Sequence, residues 1–269
     1  MILPLLVSAA LAQASAPAPR PSEVLVAVAT PYTKDDKGRV MVRIIFRAAP
    51  GGWNDVGGDE GSTDAPKKMH WKVCGGAEVD TRAAPPGPLS EEDPRMGIGV
   101  HQLSGKGARL PNGAPILTTG SCADPEGWKK IDAKKVDVAP LARAFAALHG
   151  QVAKGLEVSV PPAKPKSLKV TEAWEASDGR RLVAVALRKG VGAPDEDSHA
   201  LDVPVWIGVE KDGAAKALDI ADGFLGAADF DGDGHSELLF DVTDAFKSQF
   251  AYVLYAGFAH RHVWAKNNE

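Results

Sequence analysis

The chain has 269 residues, 44% hydrophobic and 25% charged, with a formal net charge of -4. These proportions are ordinary for a globular protein and exclude a disordered chain or a coiled coil, and the acidic balance disfavours a general nucleic-acid binder. Gly 28 and Pro 20 exceed average use and point to a turn-rich, mainly β protein.

Ile2 to Ala12 is apolar apart from Ser8. That length suits the core of a signal peptide and falls short of the roughly 18 residues of a membrane span. Ala10, Ala12 and Ala14 offer small-x-small cleavage sites. Residues 1–14 are therefore expected to be a signal peptide, and 15–22 a Pro- and Ala-rich spacer. No Lys or Arg precedes the apolar run, a departure from the usual signal. No cysteine follows it to carry a lipid anchor. The expected location is periplasmic or extracellular, with no membrane span elsewhere.

Val24–Ala29 and Val40–Phe46 are apolar runs around the turn-forming stretch Thr33–Gly38, and predict a hairpin. Gly51–Pro66 has five glycines and four acidic residues without periodicity, and predicts a long exposed loop. Met69–Val73 predicts a short strand. Residues 83–97 hold four prolines and predict irregular chain. Gly97–Leu103 predicts another strand. Pro140 suits a first helical position, and Leu141, Phe145, Leu148 and Val152 follow as an apolar stripe, predicting a helix near 140–150.

Pro161–Lys166 reads as a linker. Beyond it, Leu168–Trp174 and Arg181–Leu187 flank Asp178-Gly179, and Val203–Val209 and Ala215–Ile220 flank Asp212-Gly213. Asp-Gly between apolar runs predicts hairpins. Glu237–Val242, Phe250–Tyr255 and His262–Trp264 continue the series. The expected architecture is mainly β in two antiparallel domains. The first spans 23–160 and carries the helix. After the linker at 161–166, the second spans 167–269 and carries a calcium-binding hairpin.

Cys74 and Cys122 are the two cysteines. In an exported chain they suggest one disulfide, the alternative being two buried thiols. The bridge would close a loop worth about 4 kcal/mol in the chain-entropy model. Neither cysteine lies in a CxxC, so neither a redox motif nor a Cys-based zinc site is indicated.

The chemistry concentrates in Asp229-Phe230-Asp231-Gly232-Asp233-Gly234-His235-Ser236-Glu237. Acidic side chains alternate at Asp229, Asp231 and Asp233, Gly234 permits a sharp turn, and Glu237 closes the stretch. On a curling loop these carboxylates converge, and His235 offers its backbone carbonyl. Ca²⁺ takes 6 to 8 such hard oxygens. An EF-hand needs a bidentate Glu at its twelfth position, which here is Phe240, and a helix where Glu237–Val242 predicts a strand.

The stretch Ala227–Leu239 resembles the calcium loop of FG-GAP/VCBS-type repeats, where D-x-D-G-D-G-x-x-D/E joins two strands. The resemblance implies that Asp229, Asp231, Asp233 and Glu237 are side-chain ligands of Ca²⁺ and His235 a carbonyl ligand. One copy is present, whereas a propeller needs four or more blades. The implication extends to the ion and its hairpin, not to the family's adhesive role.

Other candidates read more simply. His260 and His262 share a face of a possible strand but lack a third ligand. His235 and Glu237 superficially match the H-x-E of zinc deaminases, without the partner P-C-x-x-C. Asp55, Asp59, Glu60, Asp64 and Asp195-Glu196-Asp197 lack metal-ligand register and read as solvated. There is no GxSxG, HExxH or P-loop, and Gly97-Ile98-Gly99 lacks the third glycine of a dinucleotide loop. Trp53, Trp71, Trp128, Trp174, Trp206 and Trp264 are expected in cores. The favoured expectation is an exported, non-enzymatic protein whose Ca²⁺ stiffens a hairpin. The alternatives are a secreted hydrolase with structural calcium, and a surface module binding glycans or proteins.

Overall fold

The computed structural model describes residues 23–31, 39–49, 52–55, 68–76, 78–84, 100–104, 115–155, 164–188, 203–242 and 250–266. The first sheet comprises β1 (Val24–Pro31), β2 (Arg39–Ala49), β3 (Gly52–Asp55), β4 (Lys68–Val73), β5 (Glu78–Ala83), β6 (Val100–Ser104) and β7 (Ile116–Thr118). Their order is β1-β7-β4-β5-β6-β2-β3, and β2 pairs with β1 as well. Six antiparallel strands therefore close into a barrel, with β3 added along β2.

Alternation along β1 splits its side chains between two cores. Leu25, Ala27 and Ala29 fill the barrel with Val42, Trp71 and Leu117. Val26 and Val28 point outward. Val26 pairs with Phe46 and Ala27 with Ile44, so Ile45 is an extra, bulged residue. Ile45 and Phe46 consequently both join the outward cluster.

Two expectations change here. Gly52–Asp55 belongs to a stretch expected to be loop, yet it pairs with Phe46–Ala49. Trp53 explains this, since it packs against the outward cluster. The rest of that loop, and residues 85–97, lie outside the described residues, as do 1–22. β5 and β7 have no counterpart in the sequence reading. Along Glu-Val-Asp-Thr-Arg-Ala only Val79 and Thr81 are buried, so β5 carries almost no apolar signal.

The second sheet holds β8 (Lys129–Lys130), β9 (Leu168–Glu175), β10 (Arg181–Leu187), β11 (Val205–Val209) and β12 (Ala215–Ile220), in the order β12-β11-β10-β9-β8. The third holds β13 (Gly223–Ala228), β14 (Glu237–Asp241), β15 (Phe250–Ala256) and β16 (His260–Lys266), in that order. The Asp-Gly hairpins form as expected.

The third sheet lies between the other two. Leu238, Phe240, Val253 and Tyr255 pack on Leu182, Ala184 and Trp206 of the second sheet. Leu239, Tyr252, Leu254 and Trp264 pack on the outward residues of the barrel. Burial on both faces explains why Leu238-Leu239-Phe240 and Tyr252–Tyr255 read as unbroken apolar runs. The single α-helix among the described residues, α1 (Ala142–Gly155), covers the far face of the second sheet. Leu141 and Phe145 of the expected stripe are buried there, and Leu148 and Val152 partly so. The helix thus packs with strands that follow it, and Lys129–Lys130 pairs with β9. Residues 156–163, covering half of the expected linker, lie outside the described residues. Pro165–Ser167 is a 3-10 turn.

A disulfide joins Cys74, just after β4, to Cys122, in the segment leading from β7 to β8. No described helix is long and apolar enough to cross a membrane.

Candidate metal centre

Residues 229–236 join β13 to β14 in the middle sheet. Gly232 and Gly234 take φ of +76° and +93°, the left-handed backbone that glycine adopts most readily. These two positions let the chain reverse while its carboxylates face inward. The loop's own backbone is then held by those carboxylates. Asp233 N donates to Asp231 Oδ1 at 3.1 Å, His235 N to Asp233 Oδ1 at 2.8 Å, and Gly234 N to Asp229 Oδ2 at 3.1 Å.

Glu237 opens β14 on the face it shares with Leu239, directed toward the barrel. It is only 1% exposed. Phe230 N donates to its Oε2 at 2.8 Å and so ties the last acidic residue back to the start of the loop. One carboxylate oxygen of each of Asp229, Asp231 and Glu237 lies within 4.8 Å of the others. Asp229 Oδ1 is buried without a hydrogen-bond partner. Burial, with Asp231, Asp233 and Asp229 nearby, pushes the Glu237 carboxyl up to about 8, against the pull of the Phe230 amide. A cation among these oxygens would satisfy Asp229 and offset the repulsion that raises Glu237.

Asp229, Asp231 and Glu237 are therefore brought together, while Asp233 and His235 lie outside that group of three. Asp233 is exposed and its Oδ1 already accepts from the loop backbone. The His235 side chain is 75% exposed, with Nδ1 at 3.6 Å from Glu126 Oε1.

Sequence reasoning missed the residues that grip the loop from outside. Asp229 N donates to Ala123 O at 2.7 Å, and Ser236 Oγ donates to Asp124 Oδ1 at 2.6 Å. Asp124 also accepts from Gly127 N and Trp128 N, which fixes its carboxylate in a turn. Gly120 lies against the Phe230 carbonyl so closely that no side chain fits between them. The cue was turn-forming Asp124-Pro125-Glu126-Gly127, separated from Cys122 by one residue.

Other candidates disperse. His260 and His262 lie opposite Ala256 and Leu254 on β16. Among the described residues, neither belongs to a cluster of three metal-ligating groups. Asp59, Glu60, Asp64 and Asp195-Glu196-Asp197 lie outside the described residues. All six tryptophans pack into the hydrophobic clusters, Trp53 and Trp174 partly buried and the other four buried.

Comparison of the chain with family models, with curated proteins and with solved structures returned no match.

Proposed function

We propose that this chain is an exported calcium-binding protein in which one Ca²⁺, held by the 229–237 loop, stabilises the β13–β14 hairpin without taking part in a reaction. The observation that carries this reading is the buried, unpartnered Asp229 Oδ1 beside Asp231 and the buried Glu237. An all-oxygen, all-carboxylate set selects a hard cation over the softer metals bound by imidazole or thiolate. The resemblance to FG-GAP/VCBS calcium loops agrees with it. Asp233 and the His235 carbonyl complete the proposed ligand set, with Asp233 using the oxygen that does not cap His235.

Export is supported by the disulfide, which persists in oxidising compartments, and by the apolar run at 2–12. The ion would neutralise loop carboxylates together with Glu237, which opens a strand buried between two sheets, and this suits a structural role. A glycan platform of tryptophans finds no support, because all six pack into cores. Calorimetric titration of metal-stripped protein tests the proposal. One Ca²⁺ per chain, lost in Asp231→Ala, would support it; no heat of binding at millimolar Ca²⁺ would refute it.

A further inference from the structure

We infer that the Cys74–Cys122 disulfide is a redox-sensitive clamp on the 229–237 loop. Its effect on metal affinity rests on the function proposed above; its effect on the loop does not. The two residues directly after Cys122 hold the two ends of the loop. Ala123 supplies the carbonyl for Asp229 N at 2.7 Å, and Asp124 the carboxylate for Ser236 Oγ at 2.6 Å. Gly120, two residues before Cys122, backs onto the Phe230 carbonyl. Segment 120–124 therefore forms one wall of the loop.

Cys122 joins this wall to the barrel. Its partner Cys74 follows β4, its amide donating to Ile116 O at 2.9 Å, and packs against the cluster that includes Phe230 and Trp53. The remaining ties of the segment flank it, for downstream Gly127 N and Trp128 N donate to the Asp124 carboxylate, and the others lie upstream. Leu25 N donates to Thr119 Oγ1, and Lys72 Nζ to Gly120 O. From Ser121 to Ala123 the disulfide is the one covalent anchor. Both cysteines are half-buried rather than enclosed in a core.

A dithiol delivers two electrons and two protons to the bridge, leaving two cysteine thiols and a cyclic disulfide of the reductant. The wall then loses its anchor beside Ala123. The loop opens more often, and its carboxylates are less ordered for a cation. Coupling of this kind is reciprocal, so a bound cation opposes reduction to the same degree.

Amide hydrogen exchange under native conditions, in EDTA, compares the oxidised protein with Cys74→Ser/Cys122→Ser. The expected result is exchange about tenfold faster at Asp229, Phe230, Gly234 and His235, the cost of loosening one or two hydrogen bonds. Loss of global stability alone would not speed amides that exchange by local opening. Unchanged rates at these four amides would overturn the inference. A second measurement needs no variant. The equilibrium of the native disulfide against dithiothreitol is read with and without Ca²⁺, and Ca²⁺ should shift it several-fold toward the disulfide. An unshifted equilibrium in protein that binds Ca²⁺ would overturn the coupling. Failure of the oxidised protein to bind Ca²⁺ would instead overturn the metal assignment, leaving the exchange rates to decide the clamp.

Discussion

The Phe230 amide donates to Glu237 Oε2 at 2.8 Å, closing the acidic loop on itself. Glu237 is buried on the barrel face of the middle sheet, and Phe230 lies in the hydrophobic cluster between that face and the barrel, its ring 6.4 Å from that of Trp53. A carboxylate is thus held where burial disfavours its charge. The Phe230 amide favours the charged form, while burial and the carboxylates of Asp231, Asp233 and Asp229 oppose it.

That relationship sets a pH dependence. Glu237 is raised from an ordinary 4.5 to about 8, so without metal the folded chain binds a proton that the unfolded chain releases earlier. The stability linked to this proton is complete below the unfolded value and is lost as pH climbs toward about 8. In EDTA, the melting temperature of the parent should fall relative to Glu237→Gln between pH 5 and pH 8. Parallel melting curves for the two proteins across that range would contradict the assignment.

Asp231→Ala removes a proposed ligand from the edge of the loop. The residue is partly exposed, and its Oδ1 caps Asp233 N. Loss of that hydrogen bond and relief of repulsion on Glu237 oppose each other. Metal-free stability should change by no more than about 1 kcal/mol. The Ca²⁺-dependent rise in Tm should disappear. Urea melts with and without Ca²⁺ measure both effects.

Two glycines separate backbone strain from crowding. At Gly234 a Cβ meets nothing within 4 Å, so Gly234→Ala pays only for its left-handed φ, about 1–2 kcal/mol. At Gly120 a Cβ would collide with the Phe230 carbonyl and come within 2.7 Å of Val24 Cγ1. Gly120→Ala should cost about 2–3 kcal/mol by overpacking, and it should weaken Ca²⁺ binding by shifting the Phe230 backbone, whose amide donates to Glu237. Denaturant midpoints and calorimetric affinities of the two variants give the comparison. Equal costs with unchanged affinity would remove segment 120–124 from the account of the loop.

What the sequence disclosed follows the range of the interactions. The β1–β2, β9–β10 and β11–β12 hairpins are local, and their apolar runs and turn residues stand side by side in the chain. The carboxylates of the loop were legible because their spacing is itself local. The disulfide followed from there being two cysteines. β5 was hidden because it buries only Val79 and Thr81, and β3 because Trp53 stands among glycines. Barrel closure was also hidden, since the contacts of β7 with β1 and β4 leave no pattern in either strand. The grip of Asp124 on Ser236 spans 112 residues, beyond the reach of spacing arguments.

The most direct test of a structural calcium is a thermal melt of the protein in EDTA, in a Ca²⁺ series and in Mg²⁺. A ligand bound only by the native state adds RT ln(1 + [L]/Kd), about 2.7 kcal/mol at a hundredfold excess over Kd. The account predicts a Tm that climbs with Ca²⁺ concentration and stays at the EDTA value in Mg²⁺. A Tm in millimolar Ca²⁺ equal to that in EDTA would contradict it and reduce the loop to an acidic turn.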